Sequence, residues 1–196
     1  MVIMRPHGLF SFVLVLLFME AALLLSDAGI MQQEKAAQAT GLAMQIERAS
    51  FTRLEIETAV DRTIDATMQQ ALLTGIRDPK LIEEMLASNL IALFSQFESA
   101  RPGNPELHFY MGEHYGGSYL RLLNSSGTPV SKKALKECFK VLVLSTGHNT
   151  YIAEFSWTGG AIGSTVAYAE IKNENFRQLF AIPTGYRRTV AGASLV

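Results

Sequence analysis

Apolar positions follow a different rule in each part of the chain. From Leu9 to Leu25 they are continuous, interrupted once by Glu20. From Met31 to about Thr74 they recur at helical spacing: Leu42, Ile46 and Ala49, then the i,i+4 row Ile56, Val60, Ile64, Met68 and Leu72. Beyond Pro105 they alternate with polar positions among β-branched and aromatic residues and frequent turns. The first pattern predicts a helix of membrane-spanning length, since Gly8 to Ala28 supplies the ~20 residues that a bilayer needs at ~1.5 Å each. The second predicts an amphipathic helix built from good helix formers, with no proline and one internal glycine, Gly41. Gly75-Ile76-Arg77-Asp78-Pro79 ends it and opens another: Gly75 as the C′ glycine, Asp78 as N-cap, Pro79 at N1, with Glu83 and Glu84 toward the positive end of the dipole. A connection this tight turns the second helix back on the first as a hairpin.

Arg101-Pro102-Gly103-Asn104-Pro105 cannot continue a helix. After it, strands are expected at Leu107–Gly112, Ser118–Leu123, Cys138–Ser145, Tyr151–Trp157, Thr165–Ile171 and Phe176–Ile182. Thr146-Gly147-His148-Asn149 and Lys172-Asn173-Glu174-Asn175 read as hairpin loops. The fold class is therefore α+β: a long N-terminal transmembrane and stalk helix, a second antiparallel helix, then a small antiparallel β-rich head. The expected division is a leader over 1–8, a transmembrane helix over 9–28, a helical stalk and hairpin over 29–100 and a head over 101–196. The stretch Ser26-Asp27-Ala28-Gly29 is a place where the long helix can bend.

Charge adds an asymmetry. The net charge of −1 over 196 residues gives no basic signature for nucleic acid. Residues 1–100 hold 7 Lys and Arg against 12 Asp and Glu, a balance of −5, and residues 101–196 hold 10 against 6, a balance of +4. Lys132 and Lys133, extended by Arg187 and Arg188, form a candidate basic patch for an acidic stalk, a polysaccharide or a phosphate surface. Cys138 is the only cysteine, so no intramolecular disulfide forms, and its apolar surroundings suit a buried, inert thiol.

The N-terminal run supports three readings. As a signal anchor it places Arg5 inside and the acidic Asp27 and Glu34 outside, which favours a cytoplasmic N-terminus and an extracytoplasmic C-terminal domain. As a cleavable signal it offers small residues, Ser26 and Ala28, before Gly29. A short basic leader ending in Gly8, followed by a continuous apolar helix that runs into an amphipathic one, resembles the start of type IV pilin-like proteins. That resemblance covers the first third of the chain. It implies cleavage after Gly8, a mature chain beginning at Leu9, and apolar helices packed together in a filament or membrane-held assembly. The family's usual glutamate, five residues past the cut, is Val13 here, and Glu20 stands at the twelfth position. An ionised carboxylate at mid-bilayer costs ~2.5–3.5 kcal/mol on insertion scales, so Glu20 is expected to meet a positive or hydrogen-bonding partner in a neighbouring helix.

Little else carries chemistry. His108, Glu113 and His114 are the nearest thing to a metal or acid–base set, but two histidines six apart on a strand stand ~20 Å from each other. Tyr115-Gly116-Gly117-Ser118 and the glycines of Trp157–Gly163 lack the strand–GxGxxG–helix context of a nucleotide site. No GxSxG elbow or SxxK pair is present, and Asn124-Ser125-Ser126 is a formal glycosylation sequon. No catalytic, cofactor or metal residues are assigned. The sequence reading is a non-enzymatic, pilin-like surface or filament subunit of prokaryotic type, in contact with lipid and self-associating through its N-terminal helix. Its alternative is an extracytoplasmic binding or sensing module on a single-pass anchor.

Overall fold

A computed structural model describes residues 6–100, 106–113, 119–123, 132–147, 150–159, 164–182 and 187–193. Arg5, His114, the 115–118 turn, the sequon at 124–126 and the glycines at 160 and 163 lie outside the described residues. The element order is mixed α+β: α1 (Pro6–Leu73), α2 (Pro79–Ala100), β1 (Glu106–Glu113), β2 (Tyr119–Arg121), α3 (Lys132–Lys136), β3 (Phe139–Gly147), β4 (Thr150–Trp157), β5 (Thr165–Lys172), β6 (Arg177–Ala181) and β7 (Arg187–Ala193). Helix α1 passes through Ser26–Gly29 without interruption, so the apolar run and the amphipathic stretch after it belong to one helix of 68 residues. Without a proline, nothing in that stretch removes a backbone donor or clashes with the preceding turn.

Compactness divides the chain after Arg48. Residues 6–48 belong to α1, and their large apolar side chains from Val15 onward are exposed. Burial begins at Ala49. From there the i,i+4 row Ile56, Val60, Ile64 and Met68 is fully buried, and Leu72 nearly so. Helix α2 faces it with Ile82, Leu86, Leu90 and Phe94, and Asn89 Nδ2 donates to Thr67 Oγ1 at 2.8 Å across the pair. The connection between the helices closes as the residue types dictate. Gly75 sits at φ +78°, which a glycine adopts without strain, while Gly75 N donates to Leu72 O and Ile76 N to Ala71 O. Asp78 Oδ1 then accepts from Lys80 N at 3.0 Å and caps α2.

The strands form two antiparallel sheets, ordered β2-β1-β5-β6 and β3-β4-β7 among the described residues. In the first, Leu107, Phe109 and Met111 of β1 face inward beside Ile171, Ala169 and Ala167 of β5. In the second, Phe139 and Val141 pair with Trp157 and Phe155. Both inner faces and the two helices share one core, in which Phe94 stacks on Phe109 at 4.3 Å and Phe139, Phe155 and Trp157 pack edge to face or tilted. Strand β7 and the short α3 were not expected from the sequence. An Arg-Arg-Thr start and an Ala-Gly-Ala end leave Val190 as the one large apolar residue of β7, too little for a visible alternation, and Lys132-Lys133 hides the single buried anchor of α3, Leu135.

Candidate functional surfaces

The N-terminal part of α1 presents a run of exposed apolar side chains. Val15, Leu16, Leu17, Phe18, Met19, Leu23, Leu24 and Leu25 are between 48% and 74% exposed. This is the one described helix long and apolar enough to cross a membrane. A helix satisfies its own backbone hydrogen bonds, so such a segment enters hydrocarbon with only its side chains to account for. Glu20 is exposed within the run and makes no ion pair among the described residues. Gly8 and Leu9 lie within the helical span of α1.

A second surface is the outer face of the first sheet, where β1, β2 and β5 set tyrosines among charged groups. Glu98, near the C-terminal end of α2, reaches into the β1–β2 pair. Its Oε1 accepts from Phe109 N at 2.9 Å, in the place of a ladder bond, and its Oε2 lies 3.2 Å from Arg121 Nη2. Arg121 Nη2 also lies 2.8 Å from His108 Nδ1. A guanidinium only donates, so Nδ1 accepts and Nε2 carries the proton toward Glu106 Oε2, 3.4 Å away. Lys172 Nζ completes the chain at 3.3 Å from Glu106. Lys172 first, and His108 second, hold the Glu106 carboxyl below its ordinary range. Beside this chain, buried Glu170 pairs with Arg177, and burial together with the Glu170 carboxylate pushes the Tyr110 phenol up. Tyr119 meets Tyr168 edge to face at 5.0 Å.

Apart from Arg121 Nε, which is buried without a hydrogen-bond partner, these groups pair with one another, so the cluster ties α2 to the sheet and leaves aromatic edges and charged tips outward. Sequence reasoning singled out His108 alone. Its partners Arg121 and Glu98 come from β2 and α2, and Lys172, which reaches Glu106, comes from β5, all at separations that no local pattern encodes. Among the described residues, no three His, Cys, Asp or Glu side chains are placed to share a metal ion.

The four basic residues are distributed rather than pooled. Lys132 and Lys133 are exposed on α3, which packs on α2 and β3. Arg187 and Arg188 sit on β7, with β4 between them and β3. Arg187 Nε pairs with Glu154 at 2.8 Å on the outer face of its sheet. Arg188 points inward to α1, where it pairs with Asp61 at 3.3 Å and with Asp65. Glu83 and Glu84 act across elements too: Glu83 Oε1 accepts from Val141 N at 3.2 Å, and Glu84 lies 3.5 Å from Lys136 Nζ.

Two open depressions are lined by described residues. One of about 600 Å³ runs between α1 and α2, lined by Phe51, Leu54, Thr58, Arg62, Leu93 and Phe97. The other, about 470 Å³, lies between the β1–β2 end and α3, with Met111, Tyr119, Leu120 and Glu137 on its walls. Cys138 opens into neither. It is buried, its Sγ faces Ala134 O at 3.8 Å, and burial pushes the thiol up to about 12. No protein-family model, curated protein or solved structure matches this chain.

Proposed function

We propose that the chain is a non-enzymatic, pilin-like subunit whose N-terminal helix is held in a membrane or filament and whose β-rich domain is extracytoplasmic. The observation that carries this reading is the row of eight exposed apolar side chains from Val15 to Leu25 on an unbroken helix. At ~25 cal/mol per Å² of apolar surface, leaving such a row in water is costly, and lipid or the matching helices of other copies remove that cost. The resemblance around Gly8 and Leu9 supplies the pilin-like part, with cleavage after Gly8. Arg5 before the run and Asp27 after it supply the inside-to-outside direction. Glu20 seats the helix among its neighbours by meeting a complementary group in another helix.

N-terminal sequencing of the membrane fraction after alkaline carbonate washing tests this. A mature chain that begins at Leu9 and stays in the pellet is the expected result. An uncleaved Met1 in the pellet overturns the pilin-like processing and leaves an anchor. A soluble chain beginning at Gly29 overturns both. A second reading, an extracytoplasmic binding module on a single-pass anchor, draws on the outward edges of Tyr110 and Tyr119 in the first sheet. Retention on an immobilised polysaccharide that Tyr119→Ala abolishes would favour it.

A further inference from the structure

Among the described residues, strand β3 is an edge of its sheet, nine residues long, and paired on one side to β4. The hydrogen-bond phase of this pair is fixed at its start, where Cys138 O accepts from Thr158 N at 2.8 Å. In an antiparallel ladder the next residues to exchange bonds with β4 are Lys140, Leu142 and Leu144. Val141, Val143 and Ser145 therefore turn their amides and carbonyls to the open side. The Val141 amide is taken by Glu83 from α2. Val143 and Ser145 have no partner on that side among the described residues.

Natural edge strands are blunted by inward-pointing charge, proline or covering elements. Among the described residues, Glu83 covers the first half alone. Residues 141–147, Val-Leu-Val-Leu-Ser-Thr-Gly, hold no charge and no proline. Leu142 and Leu144 stand on the outer face at 53% and 54% exposure, and Ile152 of β4 is paired with Leu144.

We propose that this edge is a self-association site: β3 pairs antiparallel with β3 of a second copy, about a two-fold axis at Leu144. Val143 exchanges both backbone bonds with Ser145 of the second copy, and Ser145 with Val143, so four bonds form while the Glu83–Val141 bond is kept. Leu144 then lies opposite Leu144 of the second copy. The outer face gains a continuous apolar row, Ile152–Leu144–Leu144–Ile152. Electrostatics match as well, because the paired stretch is neutral and an isologous contact sets no like charges opposite each other. A heterologous partner has no such reason to fit this register. Two short strand segments cover less than the roughly 1,200 Å² of a stable interface, so the dimer is reversible and concentration-dependent. This pairing does not depend on how the N-terminal helix is processed or held.

Directly opposed residues in a non-hydrogen-bonded pair have Cα atoms about 4.5 Å apart, within disulfide reach. The test is copper-catalysed oxidation of the full chain in mild detergent, over a range of protein concentrations. Buried Cys138 gives the unsubstituted protein as a silent background. Leu144→Cys is expected to form a disulfide dimer at least tenfold faster than Leu142→Cys, which faces position 146 of the second copy. Adding Val143→Pro to Leu144→Cys removes an outward amide and is expected to slow the dimer at least tenfold. The β3–β4 ladder does not use that amide, so the far-ultraviolet circular dichroism should be retained. Equal rates for the two cysteine variants, or a Leu144→Cys dimer indifferent to Val143→Pro with the fold intact, would overturn the proposal.

Discussion

Cys138 lies beneath Phe139 and the end of α3, where its thiol is taken from water with Glu137 nearby. Both effects disfavour the thiolate, and desolvation is the larger. A folded pKa raised from 9.0 to about 12 gives a stabilisation that is complete below pH 9 and lost as pH climbs toward 12. Urea midpoints should therefore fall over that alkaline range, and fall less steeply in Cys138→Ala, which itself costs about 1 kcal/mol near neutrality. Equal alkaline slopes in the two proteins would show that the thiol is not the group responsible. At the same scale the sequence was a fair guide to burial and a poor guide to partners. An isolated cysteine in an apolar run reads as buried, and is. The four-residue chain Glu98–Arg121–His108–Glu106 leaves no trace in local spacing, because its members are brought together by the β1–β2 register and the end of α2.

Among the elements, the α1–α2 hairpin is the most legible, and its closure can be tested directly. Gly75 at φ +78° and the Asp78 cap act on opposite ends of one five-residue connection. Gly75→Ala forces a Cβ into the left-handed region, and Asp78→Ala frees an orphan amide of α2. Each should lower stability by about 1 kcal/mol in chemical denaturation. Each change touches a different helix end, so the double variant should lose nearly the sum. A Gly75→Ala protein as stable as its parent would mean that the connection does not hold this turn in solution. The hairpin was readable because glycine, aspartate and proline each have a conformational preference that acts within a few residues. Helix α3 and strand β7 were not, since their anchoring is tertiary: Leu135 into the core, and Arg188 onto Asp61 and Asp65 of α1.

Over the whole molecule, the oddity is a carboxylate in an otherwise apolar segment. If Glu20 meets a complementary group in a neighbouring helix, Glu20→Leu should leave the chain in the membrane fraction and reduce recovery of assembled complexes after mild solubilisation. The direction of each effect follows from one carboxylate: its removal lowers the insertion cost by ~2.5–3.5 kcal/mol and deletes the interhelical contact. Assembly unimpaired by the change would remove Glu20 from the interface. The sequence by itself determined the apolar N-terminal run, the long helix after it, the hairpin, the α+β class and six of the strands. All of these rest on period, length and turn chemistry, which act locally. Tertiary structure alone decided where burial starts on α1. Leu42 and Ile46 share the helical spacing of Ile56 and Val60, yet the first two are exposed and the last two are fully buried in the core formed with α2 and the sheets. It also decided that, among the described residues, the sheet ends with β7 on one side and leaves β3 unpaired on the other. A strand's apolar pattern records which face is covered. Its backbone groups are the same in every residue, so nothing in the pattern says which edge will be left unpaired.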